Sequence, residues 1–199
     1  MQATRVATIQ DHSVGPHGLI PGPICSAKLR ALGAHFPDDL SGERVLDVGC
    51  NHGFFSILAA ERGAKSVVAV DTSAKALGAA GQYLRQTKRA ISSRVHLVTS
   101  IPYQKFDLIL ALGVIHHLFR GNRSHSLTAW EFADVLDFAG RMVMEVPGDN
   151  DSATRAMFPD GEWVEGDLRY AMEQWFSIED IGPTEHVQGR RLWLLRHRT

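Results

Sequence analysis

Cysteine is scarce in this chain of 199 residues: Cys25 and Cys50 are the whole complement. Two cysteines at this length do not make a disulfide framework, so a reducing, cytoplasmic setting is the simplest expectation. Long apolar runs are missing as well. Nothing approaches the roughly 20 residues of a membrane span, and the opening MQATRVATIQDHS lacks the apolar centre of a secretory signal. Nor does one charge dominate. A formal net charge of −1 gives no reason to expect a surface built for nucleic acid. Arg190, Arg191, Arg196 and Arg198 do cluster near the end, which reads as a solvated strand end. Repeats, low-complexity tracts and long linkers are absent, so residues 1–199 are expected to form a single domain around one core.

What is there alternates. Gly15 to Pro23 is rich in Gly and Pro and predicts an extended loop. SAKLRALGAHF then places Leu29, Leu32 and Phe36 at helical spacing, predicting a helix from near Ser26. Residues 1–43 thus read as an N-terminal covering segment ahead of a core over 44–199. In that core RVLDVG, SVVAVD, RVHLV, FDLILAL and RMVMEVP read as strands. FFSILAAERG reads as a helix with Phe54, Ile57 and Leu58 on one face, stopped by Gly63. SAKALGAAGQYLRQTK is a helix capped by Ser73, and SLTAWEFADVLDFAG another, with Phe132, Val135, Leu136 and Ala139 in register. The tail FSIEDIGPTEHVQGRRLWLLRH predicts an antiparallel strand pair. Strands alternating with helices give an α/β sandwich with a mostly parallel, seven-stranded sheet. Ligands of such sheets sit at the carboxyl ends of the strands, where strand order reverses.

The turn after the first core strand occupies such a place. VLDVGCNHGFFS exposes backbone N–H groups at a helix start, and its glycines let a ligand approach the chain. A dinucleotide fold wants G-x-G-x-x-G. Here the spacing is Gly49-x-x-x-Gly53 with Asn51 in the middle place, so a pyrophosphate would meet a side chain. Asp47 precedes the turn, and Asp71 closes the next strand, near the spacing expected of a carboxylate that binds a ribose diol. The plainer alternative for both is a cap on the following helix.

Asp47-Val48-Gly49-Cys50-Asn51-His52-Gly53 resembles the first motif of the class I S-adenosylmethionine-dependent methyltransferase superfamily. The resemblance runs from Arg44 to Pro147 and then through the closing strands. It implies a Rossmann-like three-layer sandwich that binds S-adenosylmethionine. Asp47, Gly49, Asn51 and Gly53 would then hold the amino-acid end, Asp71 the ribose diol, and Thr72 the ribose or adenine edge. Members often have an acidic residue at the adenine amine after the third strand; here VTSIP offers Ser100 in its place, with Ile101 lining the pocket. LGVIHHL resembles the stretch that passes under the reactive methyl group, which brings Leu112 and Gly113 close to the cofactor. A fainter likeness, carried by GFFS and the two histidines, is to modules that methylate bacterial surface polysaccharides.

Methyl transfer asks mainly for alignment of acceptor, methyl carbon and sulfur. A hydroxyl acceptor also gains from a base with a pKa near neutrality, which a histidine has. His116 or His117 is the candidate base or orienting group, and Glu145, at the end of RMVMEVP, a further candidate for the acceptor pocket. As neighbours in sequence the two histidines should point apart, and no metal site is expected from them. His12, His17 and Tyr103 can approach from covering loops, and Gly148 to Trp163, with Phe158, reads as a specificity loop. The expected function is methyl transfer to the oxygen or nitrogen of a small-molecule or glycan acceptor. Alternatives are an RNA methyltransferase acting on tRNA or a terminal ribose, a catalytically silent cofactor- or partner-binding domain, and a nicotinamide dehydrogenase.

Overall fold

The computed structural model describes residues 12–15, 18–118, 139–148, 151, 154–155, 165–185 and 189–198. The expectations for His17, for the helix over 126–138 and for Phe158 and Trp163 lie outside the described residues.

The front segment opens with a hairpin of β1 (His12–Gly15) and β2 (Gly18–Pro21), paired antiparallel, where the composition suggested an extended loop. Helix α1 (Pro23–Leu32) begins ahead of Ser26 because the fixed φ of Pro23 suits a first helical turn. It ends at Gly33, which adopts φ 47 and donates its N–H to the Leu29 carbonyl. Cys25, Leu32, Phe36 and Leu40 are buried in the same core as the sheet, so this segment is structural as well as covering.

The alternation expected from Arg44 onward is present. It runs β3 (Arg44–Val48), α2 (Phe54–Glu61), β4 (Ser66–Val70), α3 (Ala74–Gln86), α4 (Arg89–Ser92), β5 (Val95–Val98), β6 (Phe106–Ala111) and α5 (Ile115–Leu118). Then come β7 (Ala139–Pro147), α6 (Glu165–Glu173), β8 (Phe176–Pro183) and β9 (Arg190–His197). Ser73 caps α3 as expected, its hydroxyl accepting from the Ala76 N–H. One boundary moves and one apolar face widens. Ala139 opens β7 and does not close a helix. Helix α2 buries Phe54, Phe55, Ser56, Ile57, Ala59 and Ala60, so it is enclosed on almost every side, whereas Leu58 is half-exposed.

The sheet has seven strands in the order β5-β4-β3-β6-β7-β9-β8. Strands β3 to β7 are parallel, and β9 is antiparallel to both β7 and β8. The chain order therefore reverses between β3 and β6, at the carboxyl end of which lies the Gly49 turn. Period-two alternation assigns the two faces. Val45, Val67, Leu108, Leu110 and Val143 pack with α1 and α2; Leu46, Val68, Ile109, Met142 and Trp193 pack with α6. Asp47 and Glu145 continue the first of these series, so both carboxylates fall on the α1/α2 side of the sheet.

Candidate functional site

The turn is shaped by three residues with positive φ: Gly49 (69°), Asn51 (49°) and Gly53 (81°). Asparagine tolerates this left-handed region better than other side-chain-bearing residues. A Cβ at Gly49 would lie 2.5 Å from Cγ2 of Val114, so glycine is what lets the turn meet the segment leaving β6. At Gly53 a Cβ would lie 3.1 Å from the Ala80 side chain, which ties the start of α2 to α3. The Cys50 N–H donates to the Val70 carbonyl at 2.9 Å and locks the turn to the end of β4.

Asp71 continues that link. Its carboxylate accepts the Asn51 N–H at 2.9 Å through one oxygen and the Ser73 N–H at 2.8 Å through the other. A carboxylate has about four lone-pair sites. Two amides leave room for two further donors, in a side chain already held in place. Asp47 is different: it is buried, and its carboxylate accepts the Ser56 hydroxyl at 2.5 Å. Its pKa is raised to about 6, chiefly by burial and also by the charge of Asp71, while Ser56 and Lys28 oppose the rise. Burial likewise pushes the Cys50 thiol well above its ordinary range, which keeps it protonated and unreactive.

Two carboxylates beside an N–H-rich turn define a ligand preference. They repel a pyrophosphate and favour a ligand with a cationic end and a neighbouring diol. Asp47, Gly49, Asn51, Gly53 and Asp71 are brought together here, with Leu112 and Gly113 alongside through the Gly49–Val114 approach. Thr72 and Ser100 are exposed at the rim, and Ile101 packs against the cluster that includes Val48 and Val70.

Past β6, Gly113 adopts φ 77, and α5 follows directly. His116 is buried and His117 exposed, yet their rings do not diverge; the centroids lie 4.2 Å apart. The His116 pKa is lowered to about 3, chiefly by burial and also by the charges of His117 and Arg190, against the opposing pull of Asp151 and Glu145. Its Nδ1 makes no hydrogen bond among the described residues. A base with so low a pKa takes a proton poorly at neutral pH.

Glu145 is fully enclosed and ion-paired to Lys28 of α1 at 2.8 Å. Beside it Arg190 pairs with Asp151 at 3.0 Å, and Thr154 donates to Asp151 from both its N–H and its hydroxyl. Of these charges, Glu145 and Arg190 were named from the sequence, whereas Lys28 and Asp151 were not singled out. Lys28 had a findable signal: it lies three residues from Cys25 and four from Leu32, on the apolar stripe of α1. Of the other C-terminal arginines, Arg191 pairs with Asp180 and Arg196 with Glu179 across β8 and β9, while Arg198 donates to the Phe176 carbonyl. Among the described residues no group of His, Cys, Asp and Glu could hold a metal ion, and no helix is long and apolar enough to cross a membrane.

Comparison with known proteins agrees with this arrangement. A family model for a methyltransferase domain matches residues 45–140. The ubiquinone biosynthesis O-methyltransferase of Dechloromonas aromatica is 38% identical over 93 residues, covering 45% of this chain and 39% of that protein. A tRNA U34 carboxymethyltransferase of Pseudomonas aeruginosa is 29% identical over 166 residues, covering 79% of this chain and 45% of that protein. The chain thus spans less than half the length of these curated relatives. Among solved structures, magnesium protoporphyrin IX methyltransferase from Synechocystis with bound S-adenosylmethionine superposes with a TM-score of 0.61 at 20% identity, over 86% of this chain and 78% of that one. The strand order and the glycine turn agree with the methyltransferase domain matched over residues 45–140, and the chain is similar to known methyltransferases in both sequence and fold.

Proposed function

We propose that this protein transfers a methyl group from S-adenosylmethionine to a small-molecule or glycan acceptor, at oxygen or nitrogen. The observation that carries the reading is the pair of carboxylates at adjacent strand ends, one buried under the turn and one bound to its amide. S-adenosylmethionine supplies a methyl group that is already activated, so the protein's part is to bind and align. Asp71 would receive the ribose hydroxyls with its remaining lone pairs. The Gly49–Gly53 turn and Asp47 would hold the amino-acid end, and Leu112 and Gly113 the donor side. Thr72, Ser100 and Ile101 would line the ribose and adenine edge.

At the acceptor side His117 is the better candidate for a proton-accepting or orienting group, because it is exposed where His116 is buried and neutral. Glu145, committed to Lys28, serves the framework in this reading. The acceptor class is supported by the tail arginines: Arg191 and Arg196 are matched by carboxylates across the strands, which leaves little free positive field for a polyanion. An RNA acceptor is the second reading, favoured by the tRNA-modifying relative that aligns with most of the chain.

Thermal melting tests the cofactor. S-adenosylhomocysteine at a hundred times its dissociation constant should stabilise the fold by about 2.7 kcal/mol. Asp71→Ala should abolish that shift in a chain that still folds. A shift with NAD and none with S-adenosylhomocysteine would remove the reading. Binding of tRNA that weakens steeply as salt rises would move the acceptor assignment to RNA.

A further inference from the structure

Beneath the turn, on the α1/α2 face, lies a cation that the proposed chemistry does not use. Lys28 is 4% exposed. Its Nζ is 2.8 Å from Oε2 of Glu145 and donates to the Leu112 carbonyl at 3.4 Å. A Cβ at Gly113 would lie 3.1 Å from that Nζ and 3.1 Å from the same glutamate oxygen. The ammonium thus sits directly under the two residues by which the chain leaves β6. Lys28 also favours the ionised form of Asp47, the carboxylate below the neighbouring turn. One side chain of the front segment therefore acts on both halves of the carboxyl edge.

An apolar pair would occupy this place at no desolvation cost, since replacing a buried ion pair by well-packed hydrophobic residues is commonly neutral or stabilising. The pair needs a reason other than stability. We propose that Lys28 is a positioning residue: it fixes the Leu112–Gly113 backbone against the Gly49 turn, and Glu145 holds the ammonium where it can do so. Helix α1 is then part of the cofactor site although it need not touch the ligand. This role rests on the cofactor assignment above.

Two measurements on the full chain test it, both with S-adenosylhomocysteine as the probe. The first is calorimetric binding to wild type and to the Lys28→Met, Glu145→Leu double variant. The double variant should melt at or above the wild-type temperature yet bind about tenfold more weakly. A folded double variant with wild-type affinity would show that the pair is merely structural. The second is amide hydrogen exchange on wild type, which decides if the double variant does not fold. Ligand should slow exchange in α1 together with the Gly49–Gly53 turn. Protection confined to the turn would overturn the role of Lys28. Failure of wild type to bind the probe at all would instead remove the cofactor reading itself.

Discussion

At the scale of single residues, Asp47 shows how much of the site can be read from neighbours in sequence. An acid at the end of an apolar strand, followed by a glycine turn, was enough to mark it, as was the acid that closes the next strand. Its partners were less legible. Ser56 follows within the same motif, but a serine on a helix is ordinarily a solvated one. Lys28 gave only its place on the apolar stripe of α1: lysine is almost never fully buried unless paired, and its partner Glu145 lies far along the chain. The consequence for Asp47 is a defined pH dependence. Its folded pKa, near 6, stands above the ordinary 3.8, so the native state holds the proton more tightly than the unfolded chain. Native stability from this group is complete below about pH 4 and is lost as pH rises through 6. Asp47→Asn, which can still accept from Ser56, should therefore gain on wild type as pH rises from 4 to 7, by on the order of 2–3 kcal/mol. Urea midpoints across that range measure it, and parallel curves for the two proteins would contradict the assignment. A cation bound beside Asp47 should shrink the difference.

At the scale of elements, periodicity located strands and helices but not their neighbours. Helix α2 was expected to show one apolar face, yet the hairpin, α4 and the sheet enclose it, and only tertiary packing could reveal that. The last strand inserts between β7 and β8, although pairing of the tail strands alone would not require it to touch β7. Arg191 and Arg196, which read in sequence as a solvated strand end, are answered by carboxylates across β8–β9, a match set by register and not by local sequence. The glycine turn is where local sequence and packing agree. Gly49 combines a φ of 69° with a Cβ position well inside van der Waals contact distance of Val114. Alanine there would carry about 1–2 kcal/mol for the left-handed backbone alone, and the Val114 contact would force β3 and β6 ends apart. Gly49→Ala should accordingly destabilise by roughly 2–4 kcal/mol and abolish the melting shift with S-adenosylhomocysteine. A variant that keeps the shift would show that the approach of Val114 to the turn is not part of the site.

For the whole molecule, the carboxyl edge of the sheet is closed from two directions by buried charge. Lys28–Glu145 ties the front helix to β7, and Arg190–Asp151 ties β9 to the residues that follow β7. His116 lies among these groups, with Arg190, Asp151 and Glu145 all acting on it. Burial keeps it neutral, and that makes acid a threat to the fold. Its folded pKa, about 3, stands below the ordinary 6.5, so the unfolded chain binds the proton first. Stability from neutral His116 is complete above about pH 6.5 and is lost as pH falls toward 3. Its slope is opposite to that of Asp47 over pH 4–6, and the two partly cancel in wild type. Removing either one should expose the other. Asp47→Asn should lose stability on acidification more steeply than wild type does, whereas His116→Gln should lose it less steeply, or gain. The His116→Gln curve should diverge from wild type by on the order of 3–5 kcal/mol between pH 7 and 3. Denaturant midpoints, taken with an unchanged m-value, measure that divergence. A His116→Gln curve that runs parallel to wild type through this range would mean that the imidazole already meets solvent and takes up its proton in the folded state.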